Sequence, residues 1–139
     1  MLAARRVFAI LPLAALALVA CSHDTMLLES DVPVPQEMTT VRSADIRRSG
    51  GTVSGGSFLL AGDVENARRS VTKCAKRFDE NGWQTVKIDG NADASTAIFT
   101  KDTRTAELTL RRRSLEPRMS NGLLTMQSTT KAPTQKPNP

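Results

Sequence analysis

One helical stripe in a chain that otherwise alternates sets the narrowest limit on the fold. Val64, Ala67, Val71, Cys74, Ala75 and Phe78 recur at helical spacing and line up on one face. Arg68, Arg69, Lys73, Lys76 and Arg77 take much of the remaining surface. Asp63 precedes the stripe as a candidate N-cap, with Glu65 in the first turn. Asn81-Gly82 ends it, since glycine suits the left-handed position just past a helix, and Trp83 follows where an apolar residue folds back on the last turn. The other apolar stretches have period two. Residues 41–48 and 52–61 flank Gly50-Gly51, a hairpin turn. Residues 85–88 form a short strand, and residues 96–101 and 104–111 flank a second turn at Asp102-Thr103. In the latter strand Ala106, Leu108 and Leu110 face one way and Thr105, Glu107, Thr109 and Arg111 the other. Asn121-Gly122 then leads into a last strand, residues 123–127. A single helix among hairpins cannot cover both faces of a parallel sheet. The expected fold is α+β, an antiparallel β-sheet with one amphipathic helix packed on one face, in the order β-β-α-β-β-β-β.

The first 20 residues do not belong to that pattern. Arg5 and Arg6 precede residues 7–20, an almost wholly apolar run interrupted by Pro12. A membrane-spanning helix needs about 20 apolar residues. This run is shorter and turns polar at once with Ser22, His23 and Asp24, as a secretory signal does. It closes on Leu18-Val19-Ala20-Cys21. That quartet, in its position and flanks, resembles the lipobox of bacterial lipoproteins. The resemblance implies that the Cys21 thiol takes a diacylglycerol, that a peptidase cuts before it, and that acyl chains hold the mature protein to a membrane facing the periplasm. Ser22 after the cysteine implies the outer membrane, with the inner membrane as the alternative.

The expected organisation is a signal peptide over residues 1–20, a lipidated tether over 21–40 with Pro33 and Pro35, a small α+β domain over 41–128 and a disordered tail over 129–139, rich in Pro, Thr, Lys and Gln. Cys74 is the only other cysteine. With Cys21 acylated no intramolecular disulfide can form, and an unpaired thiol in an oxidising compartment is expected to be buried. Cleavage removes Arg5 and Arg6 and no acid, so the charge falls from +5 to +3. That excess is too small to point to nucleic acid. The layout of the mature chain also resembles a group of small uncharacterised bacterial lipoproteins, through Pro33-Val34-Pro35, residues 58–62, Asn81-Gly82-Trp83 and Phe99-Thr100-Lys101-Asp102. That likeness implies a fold and no activity.

Candidate chemistry is sparse. Ser49-Gly50-Gly51 and Gly55-Gly56 lack the Gly-Lys-Ser/Thr ending of a phosphate loop and fit a turn and a strand irregularity. His23 is the only histidine and lies in the tether, so no zinc site or His-dependent catalytic pair is expected. No metal, no cofactor and no catalytic residues are expected. Trp83 could present a ring to a glycan or partner, but its place after Gly82 favours a core plug. The remaining candidate is a basic patch for an anionic partner, made of Arg111, Arg112 and Arg113 with Arg68, Arg69 and Lys73. Guanidinium groups suit phosphate through paired hydrogen bonds, although Glu65, Asp79 and Glu80 could balance it as a solvated face. The expected role is a non-enzymatic accessory subunit of an envelope assembly. The alternative is a module binding a lipid, glycan or peptide on the uncovered sheet face.

Overall fold

The computed structural model describes residues 26–129. The signal segment, Cys21 and the tail beyond Thr129 lie outside them. Six strands, β1 (Met38–Ser49), β2 (Thr52–Gly62), β3 (Gln84–Gly90), β4 (Ala94–Lys101), β5 (Arg104–Arg111) and β6 (Ser120–Ser128), form one sheet in the order β1-β2-β6-β5-β4-β3. Every neighbouring pair is antiparallel. The single helix α1 (Ala67–Glu80) lies between β2 and β3 in sequence and packs on β3, β4 and β5. Fold class and element order are those the periodicity predicts.

The stripe residues of α1 are all buried against the sheet. Their partners are the inward members of each strand, such as Phe58 and Leu60 of β2, Phe99 of β4, Leu108 of β5 and Leu124 of β6. Because side chains alternate across the pleat, Thr105, Glu107, Thr109 and Arg111 turn to the uncovered face. The Phe78 and Phe99 rings stack with centroids 3.8 Å apart, tying the helix to the sheet centre.

The helix ends are set by local chemistry. Asp63 is not the N-cap. Asn66 is, and its side-chain oxygen accepts the backbone N–H of Arg69 at 2.9 Å. Val64 instead stays buried ahead of the helix, its N–H bonded to the Pro117 carbonyl, so the helix starts one turn later than the apolar spacing implies. At the other end Gly82 has φ +81°. The N–H of Gly82 bonds the Asp79 carbonyl and that of Trp83 the Phe78 carbonyl, both at 3.0 Å. This is the Schellman arrangement, and the Trp83 ring meets Phe78 edge-on at 5.6 Å, supplying its usual apolar clasp.

Gly50 and Gly51 both have positive φ, as a two-residue hairpin turn requires. Asn121-Gly122, expected as a lead-in turn, is part of β6, paired with Arg111 and Leu110 of β5. A Cβ on Gly122 would stand 2.8 Å from Leu110 Cδ2 and 3.1 Å from Leu60 Cβ. The glycine is there for close packing.

The largest departure concerns the expected tether. Residues 26–37 belong to the folded body. Leu27, Val32, Val34 and, at the start of β1, Met38 are buried in the same core as the strands and the helix. Pro33 pairs with Met26 in an isolated bridge, and a short 3-10 turn spans Leu27–Glu29. The two prolines gave this stretch the look of a linker, but Val32, Pro33, Val34 and Pro35 are all buried in the protein. The segment runs beside α1, where the Pro33 carbonyl faces the Cys74 thiol and the Val34 carbonyl accepts from Arg77.

Candidate functional site

Two groups of charged side chains stand out, the polar cluster that fixes the N-terminal segment and the arginines of the surface.

The cluster centres on Asp31. Its carboxylate accepts two parallel bonds from the Arg104 guanidinium, each 2.8 Å, and a third from Lys101 Nζ at 2.7 Å. Arg104 enters β5 on the inward side of the pleat and its side chain is only 9% exposed. The guanidinium also reaches the Val53 carbonyl and lies 4.8 Å from the centroid of the Trp83 ring. Lys101 further bonds the Asn81 carbonyl at the end of α1. Trp83 completes the set by donating its indole N–H to the Asp31 carbonyl at 2.9 Å. The hydrogen bonds from Arg104 and then from Lys101 outweigh burial and hold the Asp31 carboxyl at about 2. Arg104 is held charged by the same contact. The ion triad locks the N-terminal segment to the helix end and to β4 and β5.

Trp83 is a core plug, 1% exposed. Cys74 is buried, as the unpaired thiol should be, and burial pushes its pKa up to about 12. The thiol therefore stays protonated at neutral pH.

The six expected patch residues do not form one surface. Arg111 is exposed on the uncovered face of the sheet. Arg68, Arg69 and Lys73 lie on α1, on the other side. Arg112 turns back toward the β3–β4 connection and pairs with Asp93 at 3.4 Å, its N–H bonding the Asp93 carbonyl. Arg113 stands 4.0 Å from Glu116. Arg68 donates to the Gly90 carbonyl, and Lys73 approaches Glu37 at 3.9 Å. A depression of about 230 Å³ at the start of α1 places Arg69 and Lys73 among Glu37, Asp63 and Glu65. Of the three successive arginines, Arg112 and Arg113 line one shallow depression with Leu115 and Glu116, whereas Arg111 faces the uncovered sheet, and each helical cation that lines the depression at the start of α1 shares it with carboxylates.

The uncovered sheet face is rich in hydroxyls. Thr96 and Thr109 share a hydrogen bond of 3.0 Å across β4 and β5. Leu59 and Leu123 pair across β2 and β6, 43% and 46% exposed, and edge a shallow depression of about 220 Å³ with Thr109 and Arg111. Leu115, in the connection after β5, is 98% exposed.

The Asp31–Lys101–Arg104 set was not visible in the sequence. Lys101 and Arg104 lie 70 and 73 residues from Asp31. The only local sign is a basic residue at Arg104, on the side of the strand that also carries Ala106, Leu108 and Leu110.

Among the described residues no group of three or more His, Cys, Asp or Glu side chains is placed to hold a metal ion, and no helix is long and apolar enough to cross a membrane. Comparisons of the chain with protein-family models, curated proteins and solved structures give no match.

Proposed function

We propose that the chain is a bacterial lipoprotein held to a membrane by acyl chains on Cys21 and acting as a non-enzymatic accessory subunit of an envelope assembly. The observation that carries the reading is the Leu18-Val19-Ala20-Cys21 quartet at the end of the apolar run of residues 7–20. Each buried CH₂ contributes about 0.8 kcal/mol, so two or three chains anchor a protein durably where a single myristoyl chain does not. The serine at position 22 favours the outer membrane, facing the periplasm, over the inner one. The accessory role is supported by a polar cluster that is fully engaged in structure and by the scarcity of groups suited to catalysis. The test is the intact mass of the protein purified from membranes of a Gram-negative host. The expected product begins at Cys21 and carries added acyl mass, and Cys21→Ser remains uncleaved. A mature protein lacking acyl mass and recovered in the soluble fraction would refute the anchor. Crosslinking of the acylated protein in cells then tests the role, with a partner recovered at reproducible stoichiometry as the expected result.

A second reading, a lipid-, glycan- or peptide-binding module, is favoured by the exposed Leu59–Leu123 pair on the uncovered sheet face. Replacing Leu59 and Leu123 by serine would abolish binding on that reading and leave an accessory contact made elsewhere intact.

A further inference from the structure

We propose that the depression at the start of α1 binds the head of an α-amino acid, with the ammonium against carboxylates and the carboxylate against Arg69 and Ser70. The inference stands apart from the acyl anchor and uses neither Cys21 nor the uncovered sheet face.

The depression is built on fixed backbone. Glu37 immediately precedes β1, and its carbonyl accepts the Asp63 N–H at 3.1 Å. Gly62 permits that approach, since a Cβ there would collide with the Glu37 carbonyl oxygen. Met38 and Val64, 2% and 0% exposed, root both stretches in the core. On α1 the Asn66 cap fixes the first turn, and Arg69, Ser70 and Lys73 follow at spacings of three and four that share one side of a helix. The result is a concavity of about 230 Å³ with no apolar side chain in its lining.

Ser70 is the residue that points to a ligand. It is only 6% exposed. Its backbone N–H is bonded to the Asn66 carbonyl, but its hydroxyl has no hydrogen-bond partner among the described residues. Nor is that hydroxyl sealed from solvent, as Arg112 Nε is, so what it meets is the depression that Ser70 lines. The charges around it are loosely held. The Arg69 guanidinium and the Glu65 carboxylate have no ion-pair partner among the described residues. Lys73 stands 3.9 Å from Glu37, and Arg118 4.0 Å from Asp63, both beyond hydrogen-bond length.

The arrangement of charge selects the guest. The two cations and the hydroxyl stand on α1, whereas the three carboxylates come from the chain entering β1 and from the connection between β2 and α1. A lone anion is repelled by Glu37, Asp63 and Glu65, and a lone cation by Arg69 and Lys73. A zwitterion suits both sets at once. A guanidinium offers a carboxylate two parallel N–H bonds, the Ser70 O–H supplies another donor, and the carboxylates accept from the three N–H groups of an ammonium. A lipid chain finds no apolar wall here, and a sugar finds no aromatic ring to stack on. The space is that of roughly eight waters at about 30 Å³ each. That accommodates an amino-acid head and falls short of the ~300 Å³ at which sites for drug-sized ligands begin.

The experiment is equilibrium dialysis of the full chain, purified in mild detergent, against radiolabelled alanine and radiolabelled γ-glutamylalanine, which carries the same head on a larger body. Saturable binding of alanine supports the proposal and assigns a free amino acid. Binding of γ-glutamylalanine alone supports it and assigns a head displayed on a larger molecule. N-acetylalanine and alaninamide, each lacking one of the two charges, should compete at least tenfold more weakly than alanine. Ser70→Ala should weaken binding about tenfold, the size of one hydrogen bond to a charged group. Its melting temperature should stay at or above the native one, because the hydroxyl has no partner in the protein to lose. Arg69→Gln should weaken binding at least as much, and Arg111→Gln, on the uncovered sheet face, should leave it unchanged. No binding of either probe at about 10 mM by natively folded protein overturns the inference. So does equal competition by the blocked forms, or native affinity in both Ser70→Ala and Arg69→Gln.

Discussion

Replacing Asp31 by alanine should release the first dozen described residues from the fold. Among the described residues its carboxylate is the only acidic partner within bonding distance of Arg104, whose side chain is 9% exposed, and it also pairs with Lys101, at 26%. Removing one member of a buried pair typically costs about 3–5 kcal/mol, because the other charge is left in a poor solvent. Asp31 is itself 22% exposed and Lys101 can turn outward, so the lower end of that range applies, about 3 kcal/mol. Set against a stability of roughly 5–15 kcal/mol for domains of this size, the loss is large. It also acts locally. Leu27, Val32 and Val34 are buried only while the segment lies beside α1, and at roughly 1.5–3 kcal/mol each their burial is offset by the entropy of ordering the segment. Trp83 is the only tryptophan and its indole N–H bonds the Asp31 carbonyl, so its fluorescence follows the transition in urea. A protease cutting after glutamate should reach Glu29 in the variant sooner than in the native protein. The partner variant Asp31→Ala/Arg104→Met should recover part of the loss, since no charge is then stranded beside Trp83. A destabilisation of Asp31→Ala below about 0.5 kcal/mol, the scale of an ordinary surface change, would refute the assignment of the triad as a lock.

The same carboxylate sets an acid limit. Its native pKa of about 2 lies below the ordinary 3.8, so the stabilisation is complete above about pH 4 and is lost as pH falls toward 2. About 2 kcal/mol should disappear in that window, measured by urea unfolding at stepped pH and absent in Asp31→Asn. Gly122→Ala should destabilise by about 1–3 kcal/mol, read in thermal melts, because its Cβ would meet Leu110 at 2.8 Å. Cys74, held at about 12 by burial, should resist a thiol reagent at pH 8 and react at the ordinary rate in denaturant. An Asn66→Ala change should cost about 1 kcal/mol through loss of the helix cap, whereas Asp63→Ala should cost far less.

The architecture was legible because two periods carried it. The stripe from Val64 to Phe78 has the spacing of one helix, and Ala106, Leu108 and Leu110 alternate with Thr105, Glu107 and Thr109, so one helix on one face of an antiparallel sheet followed from local pattern alone. The Gly50-Gly51 turn and the Gly82-Trp83 stop were equally local, since positive φ and the Schellman bonds involve residues within a few positions. The Cys21 motif is a sequence property and owes nothing to the fold.

Tertiary structure alone decided what became of residues 26–37. A stretch with two prolines and a few aliphatics is compatible with a linker until a groove beside the helix and three donors for one carboxylate exist to hold it. Those donors come from residues 70 and more positions away, and no local pattern encodes such a distance. The arginines make the same point in reverse. Arg111, Arg112 and Arg113 are adjacent in sequence, but the strand pleat sets Arg111 on the uncovered sheet face while Arg112 and Arg113 share a depression beyond the strand end, where Asp93 and Glu116 meet them. Sequence fixes which residues share a period. Only the folded chain determines which charges share a neighbour, because electrostatic contact depends on distances in space that a period does not contain.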